Sequence, residues 1–384
     1  MSIYRDLFSL PDGYRYLNCA YLSPLSKRVE QTAVNALVRR RTPSTIGVGD
    51  FFDPADSVRS LFTKILGSED PARIALIPSA SYGMAIVARN VEAGSGQKVI
   101  LVEDQFPSSV YTWKRFCAAQ KCDLELVQRP DPDGHVGQTW NEMILTAIDS
   151  TTAVIALPHV HWTDGTVFDL ESIGREARRV GAKLIVDGTQ SVGAYPLDFQ
   201  AVRPDAVICA GYKWLTGNMG LGVAYLGECF DDGVPLEENW IGRANSRNFS
   251  SLVQYVDEYV DGAARYDVGE RGIGLLLPVF VEALSQVSEW GTELIQSHCR
   301  TISKPGLDEL RNFGAIVPDD DAPSHLFGIR FRQDGIRDRL LSELKARDIS
   351  VSLRGDAIRV APYLYNSEDD VSALVDACSA AIRL

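Results

Sequence analysis

Two residues near the middle of the chain have the types and spacing for chemistry on an amine. The apolar run 184–186 ends in Asp187, and a second apolar run, 206–210, precedes Lys213. Lysine carries an amine that can be desolvated, deprotonated and condensed with a carbonyl as a Schiff base. A buried aspartate can keep a pyridine nitrogen protonated, so that the ring remains an electron sink. Together the two residues point to pyridoxal phosphate.

Each residue alone has an ordinary explanation. A lysine at the end of a strand usually lies on the surface, and an aspartate after a strand often caps a helix. Neighbouring residues support a functional role for the pair, because Gln190 follows Asp187 by three positions and Tyr212 directly precedes Lys213. A glycine-rich stretch, GNMGLG, follows the lysine.

Seven β-rich runs between residues 73 and 226 alternate with helical stretches. They are apolar nearly throughout, as expected of a mostly parallel sheet that helices cover on both faces. The runs are 73–77, 98–102, 124–128, 151–157, 182–186, 206–210 and 221–226. The sequence therefore predicts an α/β fold, with ligands beyond the carboxyl ends of the strands. The segments to inspect there are 79–83, 103–107, 158–165, 187–190 and 211–214.

One intervening helix illustrates how the sheet is covered. Leu170, Ile173, Ala177 and Val180 share one helical face, which predicts a helix that Asp169 caps and that Gly181 ends. After about residue 262 the pattern changes to a long helix, short strands and further helices, typical of a smaller α+β domain. We expect an N-terminal segment (1–45) that packs on the small domain and active site, a large cofactor-binding domain (46–262) and a small C-terminal domain (263–384).

Composition excludes several classes of partner. The 384 residues have a formal net charge of −13, which gives no field to attract nucleic acid or anionic lipid. No apolar run reaches the ~20 residues that span a bilayer. The seven cysteines include no CxxC pair, which favours a reducing compartment. We expect a cytoplasmic protein without membrane or nucleic-acid partners.

These motifs resemble the class V aminotransferase family of fold type I pyridoxal-phosphate enzymes. That family includes cysteine desulfurases, selenocysteine lyases, kynureninases and isopenicillin N epimerase-like proteins. The resemblance extends from YLNCAYLSP (16–24) to IRVAPYLYNSEDDV (358–371). It implies a fold type I transferase with a mostly parallel seven-stranded sheet covered by helices, plus a smaller α+β C-terminal domain. It also implies a homodimer with active sites at the interface.

The resemblance assigns roles around the cofactor ring. Lys213 would form the Schiff base and later move the proton at the substrate Cα. Asp187 would face the pyridine nitrogen, and Gln190 would contact the ring oxygen. Phe106 would stack on the ring, as in kynureninases, where desulfurases have a histidine.

The phosphate group has its own implied ligands. Ala80 and Ser81 open a helix in the family, so that their amides and the Ser81 hydroxyl would hold the anion. Tyr212, Trp240 and Gly269 are further cofactor-binding candidates by the same resemblance.

Two positions depart from the family's phosphate ligands. Ala210 stands where many relatives have serine or threonine, so another donor must replace that hydroxyl. Glu270 stands where relatives have a threonine that reaches the partner's phosphate. Because a carboxylate repels a phosphate, we expect Glu270 to turn toward Arg265 or Arg271.

Substrate recognition is implied by a separate set of residues. Arg359 aligns with the arginine that binds the substrate α-carboxylate, a task suited to its planar fork. Beyond that clamp we expect a pocket formed by Tyr21, His161 and Trp162. Arg354 stays open between a substrate contact and a surface residue.

The reaction type is the least determined prediction. No cysteine lies between residues 350 and 360, where desulfurases present their attacking thiolate, which argues against persulfide-forming desulfurase activity. Cys209 is expected to be core packing, and the role of Cys19 stays open. Phe106, Tyr212 and the RVAPYLYN segment are kynureninase-like, which favours a lyase acting on a small L-amino acid by β-elimination or kynureninase-type cleavage. Aminotransferase is the alternative.

Two remoter alternatives belong to other classes. His159 and His161 lie two apart and could bind a metal with Asp187, as in a metal-dependent hydrolase. No further histidine or carboxylate has convincing ligand spacing, and a metal site would leave Lys213 without a role. We therefore predict no metal site. A non-catalytic sensor that binds the cofactor or an amino acid also stays open.

Overall fold

The computed structural model describes residues 4–131, 135–319, 322–333 and 335–383. The strands are β1 (Arg15–Tyr16), β2 (Ile74–Ile77), β3 (Lys98–Val102), β4 (Asp123–Val127), β5 (Thr152–Pro158), β6 (Lys183–Asp187), β7 (Ala206–Ala210), β8 (Gly222–Leu226), β9 (Phe327–Ile329), β10 (Ile349–Ser350), β11 (Ser352–Arg354) and β12 (Ala357–Val360). The helices are α1 (Lys27–Arg39), α2 (Val48–Leu66), α3 (Ala80–Asn90), α4 (Pro107–Gln120), α5 (Val136–Ala147), α6 (Leu170–Val180), α7 (Phe199–Val202), α8 (Leu276–Asn312), α9 (Ile336–Ala346) and α10 (Glu368–Arg383). Within these ranges, no helix has the length and apolarity needed to cross a membrane.

A seven-stranded sheet carries the candidate site. Its order is β2-β8-β7-β6-β5-β3-β4, with β8 antiparallel to both neighbours and the other pairs parallel. Each strand agrees with one of the seven predicted runs to within one residue at either end. The prediction of an α/β fold with a mostly parallel sheet is confirmed.

Both faces of this sheet are buried, which explains the continuous apolar runs. On β2, Ile74 and Leu76 join a core cluster that includes side chains of α2, α5, α6 and α8. Ala75 and Ile77 join a second cluster that includes side chains of α3 and α4. Because neighbouring residues of a strand face opposite sides, a strand covered on both sides must be apolar at every position.

The predicted helix at α6 is confirmed, with its capping residues. The Asp169 side chain accepts a hydrogen bond from the Ser172 backbone N–H, and Gly181 ends the helix at φ 78°. That left-handed conformation suits glycine, which has no Cβ to clash.

Helix α8 connects the core of the large sheet to the C-terminal region. Its first part buries Leu277 and Phe280 against the large sheet, and its last part buries Ile302 and Leu310 with β9 and β12. Strands β9, β11 and β12 form an antiparallel sheet in the order β11-β12-β9. Strand β1 pairs in parallel with β10, so the N-terminal segment joins this C-terminal region. The domain limits given above remain predictions.

A buried carboxylate fastens β2 to α2. Asp267 is 1% exposed and binds Arg59 of α2 at 2.5 Å and Arg271 at 2.6 Å through Oδ2. Its Oδ1 accepts a hydrogen bond from the Leu76 backbone N–H at 2.8 Å. Two guanidinium groups therefore depend on one carboxylate away from water.

Replacing this carboxylate tests the support of β2. We expect Asp267→Ala to lower the free energy of unfolding by about 3–5 kcal/mol, because it leaves two buried cations unpaired. Chemical denaturation measures the change. The exposed Asp232→Ala is the matched control, with an expected change within about 0.5 kcal/mol. Equal effects of the two substitutions would contradict the role of Asp267.

Candidate active site

A cavity of about 220 Å³ opens at the carboxyl ends of β5, β6 and β7, beside the start of α3. Each of the five segments chosen from the sequence contributes to its wall. The lining residues are Ser79, Ala80, Ser81, Gln105, Phe106, Ser108, Pro158, Val160, Trp162, Asp187, Thr189, Gln190, Ala210, Tyr212 and Lys213. A larger crevice of about 410 Å³ has neither lysine nor cysteine among its described lining residues, so chemistry on an amine is better placed in the smaller cavity.

A tight turn after β7 delivers Lys213 to the cavity. The Gly211 N–H donates to the Leu221 carbonyl, and a Cβ at Gly211 would lie 2.4 Å from that oxygen, so only glycine fits. Lys213 is 7% exposed, and its Nζ lies 5.6 Å from the centre of the Phe106 ring. The amine is therefore largely removed from water.

Burial changes the proton affinity of this amine. It lowers the pKa of Lys213 to about 8, since burial disfavours the charged form. The Asp187 carboxylate acts in the opposite direction, while Arg359 and Arg354 lower the pKa further. A substantial fraction of the amine is thus neutral near pH 8 and available as a nucleophile or base.

Asp187 is oriented by the backbone that follows it. Its Oδ1 accepts a hydrogen bond from the Thr189 N–H at 2.9 Å. Its Oδ2 accepts no hydrogen bond from the described residues, and Asp187 is one of the residues that line the cavity. The Thr189 hydroxyl in turn accepts from the Ala210 N–H at 3.2 Å, which ties the end of β6 to the end of β7.

The Gln190 side chain is held at the cavity wall by two partners. Its Oε1 accepts from the Trp214 indole at 2.9 Å, and its Nε2 donates to the Ala20 carbonyl at 3.2 Å. These two hydrogen bonds fix the orientation of the amide.

The start of α3 presents unpaired donors to the cavity. The Ser79 hydroxyl caps the helix by accepting from the Tyr82 N–H, while the amides of Ala80 and Ser81 have no partner within the helix. A Cβ at Gly83 would lie 2.7 Å from Ile208 Cγ2, so glycine lets α3 sit close to β7. The helix dipole and these amides favour an anion here.

Three hydroxyl side chains that were not predicted from the sequence as ligands lie around the same cavity. Ser79, Ser108 and Thr189 line it, and they are the available replacements for the hydroxyl lost at Ala210. Ser79 and Thr189 fall inside the segments chosen from the sequence, and Ser108 lies one residue beyond one of them. Their residue type gave no further signal, because serine and threonine are common in loops and helix caps.

Three aromatic residues, Phe106, Trp162 and Tyr212, line the cavity near the lysine. Phe106 and Trp162 meet edge to face at 5.4 Å, and the Trp162 indole donates to the Asp104 carbonyl. Tyr212 also lines the cavity, with its ring centre 5.8 Å from Lys213 Nζ. A planar ligand would find aromatic surface beside the amine.

Arg359 is a buried cation without a carboxylate partner among the described residues. It is 1% exposed and donates to the Trp162 carbonyl at 3.0 Å and weakly to Asn18 Oδ1. Its Nε is buried and has no acceptor. Burial and the charge of Arg354 lower the pKa of Arg359 to about 9. A buried guanidinium with open donors is a site for an anion.

Two predicted cofactor ligands do not reach this cavity within one chain. Trp240 is 38% exposed and packs against Phe51 and Phe249. The Gly269 N–H donates to Glu237 Oε2 at 2.9 Å.

Glu270 does not behave as predicted. It is exposed and forms no ion pair with the described residues. The prediction that it turns toward Arg265 or Arg271 is wrong, because Asp267 already binds Arg271 and because Arg265 lies over the Tyr259 ring.

The two histidines lie apart from the cavity. His161 is fully buried against Trp140, and its Nδ1 lies 2.8 Å from the Thr163 hydroxyl. His159 packs against Tyr195. Burial lowers the pKa of His159 to about 4 and that of His161 to about 3, so both are neutral at pH 7. His161 is not among the residues that line the cavity, so its contact with a substrate stays a prediction.

The metal alternative finds no support in the described ranges. There, no group of three histidine, cysteine, aspartate or glutamate residues could hold a metal ion.

Tyr21, a predicted substrate contact, is 54% exposed, and its phenol is close enough to influence the pKa values of Tyr212 and Arg354.

Comparison with known proteins decides the family. A sequence model of the class-V aminotransferase family matches residues 30–374. The chain belongs to that family. Its members depend on pyridoxal phosphate, so this is the cofactor of the chain, and both predictions are confirmed.

Individual relatives differ in the reactions that their names state. An uncharacterized aminotransferase, YcbU of Bacillus subtilis, is 26% identical over 98% of this chain and 97% of its own. A kynureninase of Geobacillus thermodenitrificans is 24% identical over 96% and 88%. A mutant C-DES structure with glycine linked to its cofactor superposes with a TM-score of 0.84 at 16% identity, covering 99% of both chains. Cysteine desulfurases match as well.

The cavity is suited to this cofactor. The unpaired amides of α3 suit a phosphate group, and Asp187 Oδ2 suits a protonated ring nitrogen. Phe106 and Tyr212 offer aromatic surface, and Lys213 offers an amine of lowered pKa for the aldehyde.

The lowered lysine pKa can be tested on protein freed of cofactor. Capture of pyridoxal phosphate requires the neutral amine, so we expect its rate to rise with pH and to level off above a midpoint near 8. Rapid-mixing absorbance measures the rate. Asp187→Asn should shift the midpoint to lower pH, because the carboxylate stabilises the charged amine. A midpoint like that of an exposed lysine, near 10, would contradict the burial argument.

Proposed function

We propose that this enzyme transforms a small L-amino acid and that it is a lyase, acting by β-elimination or kynureninase-type cleavage. The observation that carries the amino-acid substrate is a buried amine at Lys213 beside a buried guanidinium, Arg359, that lacks a carboxylate. An amino acid brings the groups that both require, an amine to exchange with the lysine and a carboxylate for the arginine.

Each of these residues has a separate proposed role in the reaction. When bound, pyridoxal phosphate supplies a conjugated ring that withdraws electrons from the substrate Cα. Arg359 holds the α-carboxylate through its free donors, which orients the Cα–H bond. Asp187 would keep the ring nitrogen protonated, and Lys213 Nζ would take the proton from the substrate Cα. The amides of Ala80 and Ser81 would hold the phosphate.

The lyase assignment rests on the kynureninase-like residues. Phe106, Tyr212 and segment 359–366 share that character, and a kynureninase is among the relatives. Aminotransferase is the second candidate, which the nearly complete overlap with YcbU favours.

Turnover without an acceptor separates the two candidates. With amino acid alone, a lyase should keep releasing product, whereas an aminotransferase should stop after one equivalent with the cofactor in its amine form. Product assays and absorbance spectra on the holoenzyme measure both. We expect sustained turnover; arrest at one equivalent that a keto acid relieves would establish the aminotransferase instead.

Persulfide-forming desulfurase activity is not part of the proposal. None of the seven cysteines lines the cavity. Cys19 is fully buried, and burial raises the pKa of its thiol to about 12, which disfavours the thiolate. Cys19 is close enough to influence the pKa of Lys213, but as a buried neutral thiol it is poorly suited to attack a substrate sulfur.

Mass spectrometry after reaction with L-cysteine tests this absence. We expect no protein-bound extra sulfur atom on any cysteine peptide. Cys19→Ala serves as the control, because it should change neither the mass spectrum nor the release of product. A sulfur adduct that disappears in that variant would restore the desulfurase reading.

We also propose a cytoplasmic homodimer. All seven cysteines are free, which suits a reducing compartment. Trp240 and Gly269 lie away from the cavity of their own chain, so a second chain is needed for them to contribute to an active site.

A further inference from the structure

Arg354, at the end of β11, is a second arginine beside the same cavity. Its guanidinium carbon lies 5.5 Å from the centre of the Trp162 ring, which lines the cavity. Arg359 donates to the backbone carbonyl of the same tryptophan. Trp162 therefore contacts both arginines, Arg354 through its ring and Arg359 through its backbone carbonyl.

The guanidinium of Arg354 lacks an anionic partner. One Nη donates to the neighbouring Leu353 carbonyl at 2.7 Å, and its buried Nε has no acceptor. No ion pair joins it to any described residue. Arg354 is half-buried, whereas the buried Arg330 is paired with Asp164 at 2.9 Å. Arg354 and Arg359, which both contact Trp162, thus have no carboxylate partner among the described residues.

The charges around the cavity leave room for more than one anion. Arg354 lowers the pKa of both Arg359 and Lys213, so the three cations repel one another. Among the charges acting on Lys213, Asp187 provides the opposing carboxylate. A single substrate carboxylate on Arg359 would leave Arg354 uncompensated.

We propose that Arg354 is a specificity-determining residue that binds an anionic group at the end of the substrate side chain. Resting on the function proposed above, this makes the substrate a short acidic L-amino acid. The side chain must be short, because the cavity of about 220 Å³ also receives the cofactor ring. The anion can be a carboxylate, a sulfinate or a phosphate, since each accepts hydrogen bonds from a guanidinium.

Isosteric ligands give the direct test. L-Aspartate and L-asparagine differ in charge at the same position, and L-alanine lacks the group. Dissociation constants come from the change in cofactor absorbance on rapid mixing with holoenzyme, before turnover. We expect wild-type enzyme to prefer L-aspartate over L-asparagine about 10-fold or more, the ratio that a charge-assisted hydrogen bond provides. L-Cysteine sulfinate and O-phospho-L-serine identify which anion fits best.

Variants assign that preference to a residue. Arg354→Met should abolish the preference for the acidic ligand and leave L-alanine binding unchanged. Arg359→Met should weaken all the amino acids alike, because they share the α-carboxylate. The exposed Arg337→Met is the control for loss of a positive charge and should change none of the constants.

Several results would overturn the proposal. If Arg354→Met weakened the affinities for L-alanine and L-aspartate equally, the result would indicate that both arginines bind the shared α-carboxylate. Absence of an acidic preference in the wild type would refute it without any variant, so a folding defect in Arg354→Met does not remove the test. Failure of the proposed function looks different, because no L-amino acid would then change the absorbance of the wild-type holoenzyme.

Discussion

Burial of one amine is the constraint on which the rest of this structure depends. Lys213 loses water at the carboxyl ends of three parallel strands, and the loss favours its neutral form. Asp187 lies near enough to raise its proton affinity, but two arginines act against the carboxylate. The balance leaves an amine that can both attack a carbonyl and accept a proton near neutral pH, which surface lysines cannot do efficiently.

The charge around the cavity is opposite in sign to the net charge of the whole protein. The chain as a whole carries a net charge of −13, whereas the cavity wall combines the start of α3 and Lys213 with one carboxylate, Asp187, and the charges of Arg354 and Arg359 reach Lys213 from nearby. Burying such cations without partners is costly for folding, and it is tolerated where ligands provide the missing anions. A cofactor phosphate at one end and substrate anions at the other would complete the site. The same arrangement favours anionic ligands over neutral ones.

The elements that hold this cavity are themselves fastened by buried polar groups. Asp267 secures β2 through two arginines, and Thr189 ties the end of β6 to that of β7. Gln190 is fixed between Trp214 and the carbonyl of Ala20, which brings the N-terminal segment to the site. Fixed partners of this kind keep functional groups in place before any ligand binds, and so reduce the cost of ordering them.

The amino-acid sequence by itself determined the seven strands, the helix α6 with its caps, the Lys213 and Asp187 pair, and the family with its cofactor. These follow from local periodicity, capping and motifs, which short stretches of chain encode. Only the tertiary structure decided that His161 is buried away from the cavity, that Asp267 takes Arg271 in place of Glu270, and that Arg354 and Arg359 lack carboxylates. Those facts depend on which distant segments are in contact and on whether an oppositely charged group lies near each charged side chain. The spacing of nearby residues in the sequence does not predict either.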